Sequence, residues 1–191
     1  MPTLCTEAFT ACGGDPLGMW TISSSCLDGD LVAGINSTRS AACMSQTTAA
    51  DVKVTGSLNY MGAAPDTLAV YNATVTTRST ESISPACATE AFQIATLDAA
   101  ACTQIQTAIK NIDPDPMTIA ETTVTCSLVG ANCDCSVKIA DVQMAQNFVT
   151  VTGSNIAEGF DTYDFCVSGT TMTQKRLIAG TVSAVVKLEK K

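Results

Sequence analysis

A chain of 191 residues with ten cysteines and no histidine carries a formal net charge of −8 on only 15% charged residues. The acidic balance argues against nucleic acid and anionic lipid surfaces, which need a basic stripe, and the missing histidine removes the commonest general base and metal ligand. An even cysteine count spread along the chain predicts a disulfide framework, and with it an oxidising, extracytoplasmic compartment.

Residues 1–16 read as an irregular N-terminal segment closed by Gly13-Gly14-Asp15-Pro16. Met1-Pro2-Thr3-Leu4 is too short for the apolar core of a secretory leader, so a leader is expected to precede this chain in its precursor. Residues 17–191 read as a single disulfide-stapled β-domain. Leu17–Cys26 predicts a strand with Trp20, Ile22 and Cys26 on one face. Residues 27–50 show no period and predict a long loop tied down by Cys43. Partial alternation predicts strands over Asp51–Tyr60 and Thr67–Thr77, and residues 81–97 read as extended and broken by Pro85. Asp98 is a good N-cap, and Ala101, Ile105, Ala108, Ile109 and Ile112 share one side of a helix over 98–111, the one helix the spacing supports. Asp113-Pro114-Asp115-Pro116 stops it. Strands are then expected over Thr118–Leu128, Cys133–Ala140, Asn147–Thr152, Thr162–Ser168, Thr170–Gln174 and Thr181–Leu188. Short strands at regular spacing with Gly-containing turns predict an antiparallel meander closing into a β-barrel, or alternatively a β-sandwich. No apolar run reaches the ~18 residues of a membrane-spanning helix.

The ten cysteines, Cys5, Cys12, Cys26, Cys43, Cys87, Cys102, Cys126, Cys133, Cys135 and Cys166, read as structural disulfides. Locality favours Cys5–Cys12, Cys26–Cys43 and Cys87–Cys102. A hairpin with Ser127 opposite Asn132 would join Cys126 to Cys133, leaving Cys135 with Cys166. Cys133-Asp134-Cys135 lacks the spacing of a redox or zinc motif, and its aspartate would raise a thiol pKa. Asp28-Gly29-Asp30 and Asp113-Pro114-Asp115 offer hard oxygen ligands but no further EF-hand positions, so they read as solvated turns. Ser23-Ser24-Ser25 has no histidine to activate it, and Asp161 with Asp164 has no aromatic sugar platform. No cofactor or metal is expected, and no enzyme: neither a nucleophile–base pair nor a metal-ligand set is present.

Gly18-Met19-Trp20 resembles the Gly-x-Trp of lipocalin-like (calycin) proteins, in which the tryptophan packs across the closed end of the barrel. A longer pattern runs from Cys12-Gly13-Gly14-Asp15 through Gly18-x-Trp20-Thr21 and Cys26-Leu27, past Cys102 in the lone helix and Cys126…Cys133-x-Cys135. It ends at Asp164-Phe165-Cys166-Val167-Ser168-Gly169-x-x-Met172-Thr173. This is similar to a group of cysteine-rich secreted proteins and lipoproteins of gliding soil bacteria, which usually carry leucine where Met172 stands. The resemblance implies a barrel and a cell-envelope location, and no chemistry.

Two functions follow as expectations. One is a non-enzymatic lipocalin-like protein taking a small apolar ligand in a cavity of at least ~300 Å3, with Trp20, Tyr60, Tyr71, Phe148 and Phe165 as candidate lining. The other is a structural or adhesive surface protein, the subunit of a filament or layer, whose apolar lead-in adds to a neighbour's sheet edge.

Overall fold

The computed structural model describes residues 4–63, 66–111, 119–159, 161–179 and 182–191. The elements in chain order are β1 (Gly18–Asp28), α1 (Leu31–Ser37), β2 (Thr47–Ala63), β3 (Asp66–Ile83), α2 (Pro85–Phe92), α3 (Ala99–Lys110), β4 (Ile119–Val129), β5 (Asn132–Thr152), β6 (Asn155–Glu158), β7 (Asp161–Ser168), β8 (Thr171–Ala179) and β9 (Val182–Lys190). The protein is mainly β. All nine strands form one antiparallel sheet, ordered β3-β2-β1-β9-β8-β7-β6-β5-β4, and a further β3–β5 pairing links eight of them in a ring.

Contacts group the residues into two compact units: a helical unit of Asp30–Val52 with Thr76–Asp141, and a strand unit of Pro2–Gly29, Lys53–Val75 and Val142–Lys191. The strand unit packs Trp20, Leu58, Tyr60, Val149, Ile156, Phe165, Met172 and Leu188 into one buried cluster. These residues alternate with outward-facing ones along their strands, as a half-buried sheet requires. In the helical unit the core is Ile83, Ala88, Ile105, Val124 and Val137 with five half-cystines, Cys43, Cys87, Cys102, Cys133 and Cys135.

Helix α3 forms where the spacing places it. Asp98 accepts from the Ala101 amide at 2.7 Å, Ala101, Cys102 and Ile105 are buried, and Gln104, Thr107 and Lys110 face solvent. Ala108, expected on the buried face, is exposed, and Ile112 lies outside the described residues. Two helices are additional to the expected one. Asp30 caps α1 through the Ala33 amide at 3.1 Å. This helix is seven residues long with Gly34 inside it, too short to show a helical period. The segment 81–97 is not extended after Ile83: Ser84 caps α2 and Pro85 occupies its first turn, where a missing N–H costs nothing. Proline starts this helix rather than breaking a strand. Two expected strands are one: β5 runs unbroken through 141–146. The short strand β6 was not foreseen.

All ten cysteines are paired, but none of the expected pairings is present. The bridges are Cys5–Cys26, Cys12–Cys166, Cys43–Cys87, Cys102–Cys133 and Cys126–Cys135. The hairpin register explains the last. Only Gly130 and Ala131 separate β4 from β5, and Gly130 has the positive φ (61°) that a two-residue turn needs at its first position. Cys126 therefore faces Cys135, with the Cα atoms 4.0 Å apart, and Cys133 turns to α3 and Cys102. Locality misled elsewhere because the lead-in runs alongside strands distant in sequence. Leu4 bridges Leu27, and Gly13 bridges Cys166. Gly13 and Gly14 are required there: a Cβ on Gly13 would lie 2.5 Å from the Gly153 oxygen and one on Gly14 2.9 Å from Val167 Cβ, both at positive φ. Peptide mapping without reductant is expected to recover these five linked pairs and no alkylated cysteine. Recovery of Cys126 joined to Cys133 would contradict the hairpin register.

Candidate functional site

An open pocket of about 460 Å3 lies wholly within the helical unit. Its wall on the sheet side is β3 and β5, which pair with each other. Thr77, Ser79 and Glu81 alternate along β3 and so share one face, and Val137 and Ile139 do the same on β5. Ile35 of α1, Ala91 and Phe92 of α2, and Ile109 of α3 supply the helical side. The lining is predominantly apolar, and Ile35, Phe92, Ile109 and Ile139 are only half-buried, so apolar surface remains available to a ligand.

One charged group breaks this apolar surface. The Arg39 guanidinium donates to Glu81 Oε2 at 3.1 Å. Neighbouring groups brace the pair. Asn36 clasps the backbone of Thr47, donating to its carbonyl at 2.8 Å and accepting from its amide at 3.0 Å. Thr47, itself buried, donates its hydroxyl to the same Glu81 oxygen at 3.0 Å. The Cys43–Cys87 bridge ties the loop carrying Arg39 and Gln46 to α2. Glu81 is thus a buried carboxylate with two donors, as a buried charge must be to persist. The Arg39 side chain keeps 27% of its surface accessible against 6% for Glu81, so the guanidinium is the more accessible member of the pair.

The strand unit contains a second polar cluster. All three tyrosines of the chain meet there. Tyr71 donates to Glu158 Oε2 at 2.7 Å, and the Tyr71 and Tyr163 hydroxyls are 2.7 Å apart. The Tyr60 hydroxyl, in the same group, accepts from Gln174 at 2.7 Å, and Asn147 donates to the other Glu158 oxygen. Burial is the largest cause that raises all three phenol pKa values above the ordinary 10.0; the hydrogen bond from Gln174 partly offsets it for Tyr60, while the neighbouring Tyr60 adds to it for Tyr71 and Tyr163. These phenols stay protonated at neutral pH and satisfy one another. The cluster is a set of hydrogen-bond donors on a carboxylate, not a base or a nucleophile.

The sequence-derived lining residues fall elsewhere than in the apolar pocket. Trp20, Tyr60 and Phe165 are fully buried in the core of the strand unit, and Tyr71 is in the tyrosine cluster. Phe148 is 81% exposed and borders an open surface pocket that also includes Asp161, so an aromatic ring does stand near that carboxylate. Asp161 pairs with Arg176, and Asp164 accepts from Asn155. Asp28 pairs with Lys175, and Asp30 is the α1 cap, while Asp113 and Asp115 lie outside the described residues. The sulfurs of Cys126, Cys133 and Cys135 lie within 4.8 Å of one another, but each is bridged and offers no thiolate to a metal. Sequence reasoning missed Arg39 and Glu81. Their separation of 42 residues leaves no local signal, and the alternation Thr77-x-Ser79-x-Glu81 reads as a polar strand face.

Comparison with protein-family models, curated proteins and solved structures finds no match for this chain. Among the described residues no helix is long and apolar enough to cross a membrane, and the five disulfides point to an oxidising, extracytoplasmic setting.

Proposed function

We propose that this is a non-enzymatic binding protein of the bacterial cell envelope, built on a lipocalin-like barrel, that takes a small apolar ligand in the pocket of the helical unit. The observation that carries the reading is the pocket itself: its volume of about 460 Å3 is within the range of small-molecule sites, and its surface is mostly apolar. The ring of eight strands supports the barrel. So does Trp20, which is fully buried at the start of β1 with its indole N–H donated to the Pro16 carbonyl at 2.7 Å. The envelope location rests on the disulfides and on the resemblance to cysteine-rich secreted proteins. The self-assembling alternative was motivated in part by a lead-in that could add to a neighbour's sheet edge. Here the lead-in is fastened to its own chain by Cys5–Cys26 and Cys12–Cys166 and by the Leu4 and Gly13 bridges.

The test is a titration with N-phenyl-1-naphthylamine, a neutral probe that fluoresces in apolar surroundings. Saturable enhancement is expected, with Ile139→Lys weakening it at least tenfold and Phe148→Ala leaving it intact, both variants keeping the native circular dichroism. Absence of enhancement, or loss on Phe148→Ala alone, would contradict the assignment.

A further inference from the structure

We infer that the pocket's ligand is a monocarboxylate amphiphile, whose apolar tail lies on Ile35, Phe92, Ile109 and Ile139 and whose head is read by Arg39. This rests on the reading above that the pocket takes an apolar ligand, and names its chemical class. The first argument is exposure. Of the two charges at the pocket wall, Glu81 is covered and already accepts from Arg39 and Thr47, whereas the guanidinium is the accessible one. The second is donor count. A guanidinium has five N–H groups in a planar fork, and among the described residues the side chain it meets is Glu81, through one nitrogen. The rest of the fork suits an ionised carboxylate, which only accepts and which matches its planar geometry. The other polar lining is compatible with this head: Gln46 and the hydroxyls of Ser40, Thr77 and Ser79 can donate as well as accept.

The third argument is charge balance. Arg39 and Glu81 together are neutral, so a bound carboxylate leaves one net negative charge near the wall, and a phosphate dianion would leave two. One uncompensated charge in a half-buried site costs less than two, so the wall favours a monoanion over a dianion. The formal charge of −8 opposes an anion only through surface groups, whose effect is largely screened beyond ~8 Å at physiological salt. Glu81 serves as a positioning residue: buried and doubly hydrogen-bonded, it holds Arg39 in place before the ligand arrives, which lowers the ordering cost of binding.

Isothermal titration calorimetry with decanoate, decan-1-ol and decylamine at neutral pH separates the alternatives. The three share one tail and differ in head. Decanoate is expected to bind about tenfold more tightly than decan-1-ol, the yield of roughly one net charge-assisted hydrogen bond, with decylamine weaker than both. Arg39→Gln alone would strand the buried Glu81 and risk the fold. The paired variant Arg39→Gln with Glu81→Gln removes both charges, and is expected to bind decan-1-ol as wild type does while losing the preference for decanoate. Equal binding of decanoate and decan-1-ol by wild type, or a preference that survives the paired variant, overturns the head-group inference and leaves the apolar pocket standing. Tightest binding of decylamine overturns it in favour of Glu81 as the reader. Failure of all three to bind removes the pocket reading as well.

Discussion

Above pH 10 the strand unit is expected to lose stability steeply, by up to about 4 kcal/mol per pH unit, the limit that three tyrosines with raised pKa values set. The folded phenols have raised pKa values, so unfolding releases protons that the folded state retains. The stabilisation is fully present below the unfolded value of about 10 and falls as pH rises beyond it, by about 1.4 kcal/mol per unit for each tyrosine. At that limit a typical domain stability of 5–15 kcal/mol is exhausted between roughly pH 11 and pH 14. Tyrosinate absorbance should therefore stay silent past pH 10 and appear together with the loss of circular dichroism. Tyr71→Phe should reduce the slope by about a third. Tyrosinate appearing near pH 10 in protein that keeps its native dichroism would show that the cluster is open to solvent.

Trp20→Ala should cost about 3–5 kcal/mol, the range for truncating a large buried aromatic. The ring is fully buried against the strand-unit core, its N–H has a partner in the Pro16 carbonyl, and the Lys190 ammonium lies 5.3 Å from the ring centroid. Truncation leaves a cavity, removes the cation–π contact and frees the carbonyl together. Urea titrations followed by circular dichroism measure the shift in midpoint. A loss below about 1 kcal/mol would mean that Trp20 is not an anchor of this core.

How far the residues alone lead depends on the range of the forces involved. Helix α3 was readable because its signals are local: Asp98 caps it and Ile105 recurs at helical spacing into a fully buried site. Most strand positions were readable for the same reason. The disulfide pairs were not, because Cys12 and Cys166 are 154 residues apart and meet only once the lead-in lies along β7. Helix α2 was misread because Pro85 has opposite meanings at the first turn of a helix and inside a strand, and only its neighbour Ser84, capping Cys87, decides between them. The pocket was the least readable feature. Ile35, Arg39, Glu81, Phe92, Ile109 and Ile139 come from six separate elements or loops, and none carries a motif. The aromatics chosen from sequence as lining are the residues a core consumes first, since large rings gain most from complete burial, and Trp20, Tyr60 and Phe165 are used in that way.

Ligand binding at the helical-unit pocket is read residue by residue by methyl- and amide-resolved NMR during titration with N-phenyl-1-naphthylamine. Saturable shift changes are expected at Ile35, Ile109, Val137 and Ile139 and in the aromatic signals of Phe92, with the core residues Leu58, Ile156 and Leu188 of the strand unit unmoved. Changes confined to Phe148 and its neighbours, or centred on Trp20, Tyr60 and Phe165, would contradict it.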